Sequence, residues 1–180
     1  MTTGDCFILT GSNQEEPMTI YKIECVRGDK IDALSILIKK GQIMGWNFPD
    51  EYDNDIPEEA IQLPCDTYAK IKQEMEDFYI KSSNFIQENL VKGDFEIEIG
   101  RHYYGRSINT VTKIEKDRVY YKVFRIDSEN ISPCWTGSER MEGIRESWLP
   151  VTDEIYEELL RRYKMFVSQL QEHLFILAGK

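Results

Sequence analysis

A chain of 180 residues, 41% apolar and 30% charged, is long enough for one domain or two small ones and too apolar to be disordered. Its net charge of −10 argues against affinity for phosphate backbones, so no direct nucleic-acid binding is expected. No apolar run reaches the roughly 18 residues of a membrane span, and Met1–Cys6 lacks a basic, then apolar leader pattern, so the expectation is a cytoplasmic protein with no membrane partner.

In chain order, the first predicted element is a strand over Cys6–Thr10, entered through a Gly4-Asp5 turn. Met18–Ile38 reads as a hairpin turning at Arg27-Gly28-Asp29. A variable loop carrying Trp46 follows, then Asp50–Glu59, where six of ten residues are acidic. That stretch lacks the spacing and central glycine of a calcium loop and reads as a solvated acidic loop. Leu63-Pro64 leads into a helix over Thr67–Asn89, with Asp66-Thr67 as cap candidates and an apolar or small stripe at Tyr68, Ile71, Met75, Phe78, Ser82 and Ile86.

The same plan then restarts. Lys92-Gly93-Asp94 predicts a turn into a second strand over Phe95–Ile99, followed by the loop Gly100–Arg106. Asn109–Ile126 reads as a hairpin turning at Glu115–Arg118, and a second variable loop carries Trp135 and Trp148. Leu149-Pro150 and the cap candidates Thr152-Asp153-Glu154 precede a helix over Asp153–Leu177. Its stripe is Tyr156, Leu159, Tyr163, Phe166, Leu170 and Leu174, each 88 residues beyond its counterpart in the first helix.

These landmarks predict a tandem duplication. Gly4-Asp5 is matched with Gly93-Asp94, Tyr21–Glu24 with Thr112–Glu115, Trp46 with Trp135, and Leu63-Pro64 with Leu149-Pro150. The expected fold class is α+β: repeats over 1–91 and 92–180, each a small antiparallel sheet followed by one long helix, two helices in total, packed as one pseudo-twofold body. About 50 residues of each half resemble SH3-like or Tudor-like small barrels, which implies closed sheets.

The side chains that bear chemistry are sparse. Cys6, Cys25, Cys65 and Cys134 have no CxxC pairing, so reduced, buried thiols are expected, with no metal and no cofactor. The sequence contains no nucleophile elbow, phosphate loop or zinc-binding HExxH. His173 lies beside the helical stripe and reads as a core-edge or exposed residue. Gly100–Arg106 gathers Arg101, His102, Tyr103, Tyr104 and Arg106, types that bind anions or planar ligands; it also fits an ordinary β-loop whose tyrosines pack on the sheet. Trp46 and Trp135 read as anchors of their loops to the core, whereas Trp148, with no tryptophan counterpart, is the better candidate for a partner contact.

The expected function is therefore a non-catalytic binding or adaptor protein, acting on a protein or small ligand through Tyr103, Tyr104, Trp135, Trp148 and the inter-repeat cleft. The alternative is an enzyme of unrecognised type with its site at Arg101–Arg106, near Arg101, His102, Tyr104 and Arg106; a nucleophile–base pair of Cys134 with His102 is not required by the sequence. A third reading makes Asp50–Glu59 an acidic decoy for a nucleic-acid-binding partner. The 3-4 helical stripes also suit a seam shared with a second chain, giving a homodimer.

Overall fold

The structure, a computed structural model, describes residues 2–10, 17–53, 57, 59–126 and 131–179. It is mixed α+β. β1 (Cys6–Thr10), β2 (Met18–Arg27), β3 (Lys30–Lys39), β4 (Gln42–Asp53) and β5 (Ile61–Leu63) precede helix α1 (Thr67–Glu88). β6 (His102–Tyr104), β7 (Ile108–Glu115), β8 (Arg118–Ile126) and β9 (Ile131–Arg140) precede the short helix α2 (Met141–Ser147), β10 (Leu149–Val151) and the C-terminal helix α3 (Asp153–Leu177). Among these, no helix is long and apolar enough to cross a membrane.

The strands form two five-stranded antiparallel sheets, ordered β4-β3-β2-β1-β5 and β9-β8-β7-β6-β10. Each sheet thus places its last strand beside its first and leaves its fourth at an edge. Neither closes, so the barrel expected from the SH3-like resemblance is corrected to an open sheet: β4 and β5, and likewise β9 and β10, are opposite edges.

Two compact units contain these elements. The first is Met1–Asp77 with Lys164–Lys180; the second is Phe78–Tyr163. Each long helix contributes one half to each unit. In the first unit, strand alternation sends Cys6, Ile8, Met18, Ile20 and Ile38 inward, and Tyr68, Ile71 and Met75 of α1 are buried as well. On the other face of that sheet Ile23, Ile31 and Ala33 form a smaller cluster with Phe7, Tyr21 and Val26 packed against it. In the second unit Ile108, Phe124, Leu159 and Tyr163 are buried, and a separate cluster joins Ile97, Tyr103, Val111, Val119, Ile144 and Trp148.

Both hairpins turn where their sequences predict. Arg27 pairs with Lys30 around Gly28-Asp29, and Glu115 pairs with Arg118 around Lys116-Asp117. The first turn residue has positive φ in both, 63° at Gly28 and 53° at Lys116. Glycine adopts that conformation freely, whereas a Cβ makes it cost about 1–2 kcal/mol. Glycine also loses more chain entropy on folding, about 0.5–1 kcal/mol. Lys116→Gly is therefore expected to stabilise the protein by about 0.5 kcal/mol, seen as a higher urea midpoint with an unchanged slope; a lower midpoint would contradict this account of the turn.

Several expectations need correction. The described residues contain three helices, not two: α2 supplies Ile144 to the second core cluster. Phe95–Ile99 is not a strand; Ile97 is buried in that cluster and Phe95 packs against it, and the first strand of the second sheet is His102–Tyr104. Trp46 and Trp135 lie on β4 and β9 instead of in loops. Pro150 precedes α3 as expected and also pairs with Tyr103 in β10, an edge strand that has no ladder partner on its other side among the described residues. Thr152 caps α3: its hydroxyl accepts from the Ile155 amide and its carbonyl from the Tyr156 amide. Of the acidic stretch Asp50–Glu59, residues 54–56 and 58 lie outside the described part.

Candidate ligand-binding face of the second sheet

Alternation on β6 decides the fate of the Gly100–Arg106 group. Gly100 enters at φ 87°, donating its amide to the Val111 carbonyl, while the Val111 amide donates to the Arg101 carbonyl. His102 and Tyr104 then point to one face and Tyr103 to the other. The expected constellation is thereby split. Arg101 stays exposed, in ion pairs with Glu98 at 3.6 Å and Asp153 at 3.3 Å. Tyr103 is buried; its hydroxyl donates to the Glu96 carbonyl and accepts from the Glu98 amide, both at 2.9 Å, which ties residues 96–98 to the sheet.

His102 faces α3. Its ring stacks on Tyr156 at 3.7 Å and its Nδ1 lies 2.8 Å from the Thr110 hydroxyl. Burial, the largest influence, holds its pKa below the ordinary 6.5; the Asp153 and Glu157 carboxylates oppose this and Arg101 adds to it. The fold therefore favours the neutral ring, and the unfolded chain takes up the proton more readily. The stability this contributes is full above pH 6.5 and is lost as pH falls through the folded value. Between about pH 7.5 and about pH 5, His102→Phe is expected to lose less stability than the wild type, read from urea midpoints. Parallel pH profiles would show that the ring's protonation is not coupled to folding.

The opposite face of the sheet carries a cavity of about 800 Å³. Its floor is β8 and β9: Tyr121, Val123 and Arg125 alternate along one strand and Trp135, Gly137 and Glu139 along the next. Asn109 on β7, the turn residues Gly105, Arg106 and Ser107, and Ser147-Trp148 complete the wall. Trp135 is 47% exposed, so the expectation that it anchors a loop to the core is overturned. The Arg125 guanidinium lies over its ring, 5.9 Å from the centroid. Trp148 is 5% exposed: it packs beside Tyr103 at 5.9 Å and edge-on to Tyr121 at 4.9 Å.

Two glycines make that wall possible. A Cβ on Gly105 would sit 2.9 Å from the Trp148 indole, and one on Gly137 would sit 2.6 Å from the Tyr121 ring. Both aromatic rings therefore lie directly against backbone. The Tyr121 phenol is pushed above its ordinary pKa, mainly by burial and further by Glu139, and stays protonated near neutrality.

Of the seven residues expected at a site, the cavity brings together Arg106, Trp135 and Trp148; Arg101, His102, Tyr103 and Tyr104 do not line it. Tyr121, Arg125 and Glu139 were not singled out from sequence, although the alternation of Tyr121, Val123 and Arg125 marks a common face. The Cys134 side chain, and with it the Cys134–His102 pair, lies outside the described part of the structure. Among the described side chains Cys6 is buried, Cys25 is half-buried and Cys65 is exposed, so the buried-thiol expectation is met at Cys6 and not at Cys25 or Cys65. His173 is exposed. Among the described residues no group of three His, Cys, Asp or Glu could hold a metal ion. No family model matches the chain, and neither the curated proteins nor the solved structures contain a significant match to it.

Proposed function

We propose that the chain is a tandem duplication whose second sheet has become a binding surface, and that the protein acts by binding without catalysis through the face bearing Trp135, Arg125 and Arg106. The observation that carries this reading is the combination, in one cavity of about 800 Å³, of a half-exposed tryptophan, two arginines and a phenol. Aromatic and arginine side chains concentrate binding energy at recognition sites. The residue group on which an enzymatic reading rests supports catalysis less well: His102 is stacked beneath Tyr156 and hydrogen-bonded to Thr110, on the other face of the sheet from the cavity.

The duplication is supported by position as well as strand order. The bulged residue of the first hairpin is Glu24 and that of the second Thr112, 88 residues apart. The positive-φ turn residues Gly28 and Lys116 share that offset. So do Leu63 and Val151, which end β5 and β10, and the helix stripes. The first strand follows a different offset. Gly4 and Gly100, both at positive φ, donate to Ile23 and Val111, which supports matching Gly4-Asp5 with Gly100-Arg101 instead of Gly93-Asp94. Eight fewer residues between first and second strand absorb the difference, since Ile8 pairs with Ile20 but Tyr104 with Ile108. By the same offset, Arg125 and Tyr121 stand where the first copy has Leu37 and Ala33, so the two copies differ at these positions of the face.

The test is capture from an extract of the native host on immobilised protein, with proteins and small molecules identified by mass spectrometry. Wild type is expected to enrich a species that the Trp135→Ala, Arg125→Ala double variant does not. Equal enrichment by both would reject this face as the site.

A further inference from the structure

The charges in the cavity are segregated along its length. The register that sets Ile108 against Phe124 and Asn109 against Val123 brings the Gly105–Ser107 turn to the end of β8 where Arg125 lies. Arg106 and Arg125 therefore flank one end. Glu139 sits at the other, on β9 opposite Val119. Val119 is six residues from Arg125, about 20 Å along a strand. Glu139 is also turned toward α2, since a Cβ on Gly143 would meet its Oε1 at 3.0 Å. Between the ends the floor is aromatic: Trp135, half-exposed and capped on one side by the Arg125 guanidinium, then the Tyr121 ring lying over Gly137.

From this we infer the ligand class: a small molecule with a flat aromatic ring and an anionic group, the ring on Trp135 and the anion between Arg106 and Arg125. This deepens the proposed function and rests on it. Each part of the site answers one part of the ligand. A planar ring gains stacking area on an indole that already holds a cation over its ring. A carboxylate or phosphate meets guanidinium groups suited to bidentate hydrogen bonding. In a chain of net charge −10, paired arginines at one end of a cavity favour an anion there against the field of the surrounding protein. Glu139 repels the same anion at the far end and so fixes the ligand's direction.

The experiment is titration calorimetry of the full chain with four naphthalene probes: 2-naphthoate, 1-naphthyl phosphate, neutral 2-naphthylmethanol and cationic 2-naphthylmethylamine. At least one anion is expected to bind about tenfold or more tightly than the alcohol, and the amine most weakly; the tighter anion identifies the headgroup. Arg125→Ala and Arg106→Ala should each weaken the anion about tenfold and leave the alcohol unchanged, while Trp135→Ala weakens both. All three positions are at least partly exposed, so the variants are expected to retain the wild-type melting profile. Equal binding of all four probes, preference for the amine, or anion binding insensitive to both arginine changes would overturn the ligand class. If the probes fail while capture from extract still depends on Trp135, the class is wrong and the site stands; if capture fails too, both fall.

Discussion

Trp148→Ala is expected to cost about 3–5 kcal/mol, the range for a buried aromatic truncated in a core. Trp148 belongs to the cluster of Ile97, Tyr103, Val111, Val119 and Ile144, where residues from α2, the sheet and the segment before β6 meet. Its indole is pinned between Tyr103 and Tyr121 and lies against the Gly105 backbone. Two of the flanking groups are aromatic rings and a third is main chain, so the surroundings relax only partly into the void left by alanine. A native protein has about 5–15 kcal/mol of stability, so the loss is a large share of it. Trp135→Ala is the control: at 47% exposure it should cost under about 1 kcal/mol. Urea unfolding of both variants gives the comparison, and similar midpoints would refute the distinction between a structural Trp148 and a binding Trp135.

The contrast between these two tryptophans also shows what the sequence made legible. Elements with strong local determinants were readable: the hairpins turn at Gly28 and Lys116, and α3 spans Asp153–Leu177 as its stripe predicts. Stripe positions with the clearest spacing, such as Ile71, Met75, Leu159 and Leu170, are buried. Elements whose determinants are non-local were not readable. β5, β6 and β10 have three residues each, too few for any alternation to register, and they exist only through pairing with distant partners. Gly93-Asp94 resembled the entry to the first strand, yet the residue that repeats the hydrogen bond of Gly4 is Gly100. A glycine pair announces a turn without saying which strand follows it. The candidate site was partly legible for the same reason. Arg106 and Trp135 were recognisable by type, but their meeting with Arg125 depends on the β7–β8–β9 register, which no local signal encodes.

Tyr163→Ala is expected to destabilise by a similar amount, about 3–5 kcal/mol. Tyr163 is 1% exposed at the middle of the α3 stripe. Its ring meets Phe124 of β8 at 5.3 Å in an edge-on arrangement and Phe78 of α1 at 6.3 Å. Within the second unit it therefore joins the sheet to segments of both long helices, so truncation removes contacts from α3 to two other elements at once. Met165, two residues along the same helix but 49% exposed, lies off the stripe, and Met165→Ala should change stability by no more than about 0.5 kcal/mol. A double-mutant cycle adds a second readout. The Tyr163–Phe124 pair should show a coupling of about 0.5–1.5 kcal/mol, because edge-on rings at this separation interact beyond their shared burial. A coupling near zero would mean that each ring is held by its other neighbours, and a Met165→Ala loss equal to that of Tyr163→Ala would overturn the assignment of the buried stripe itself.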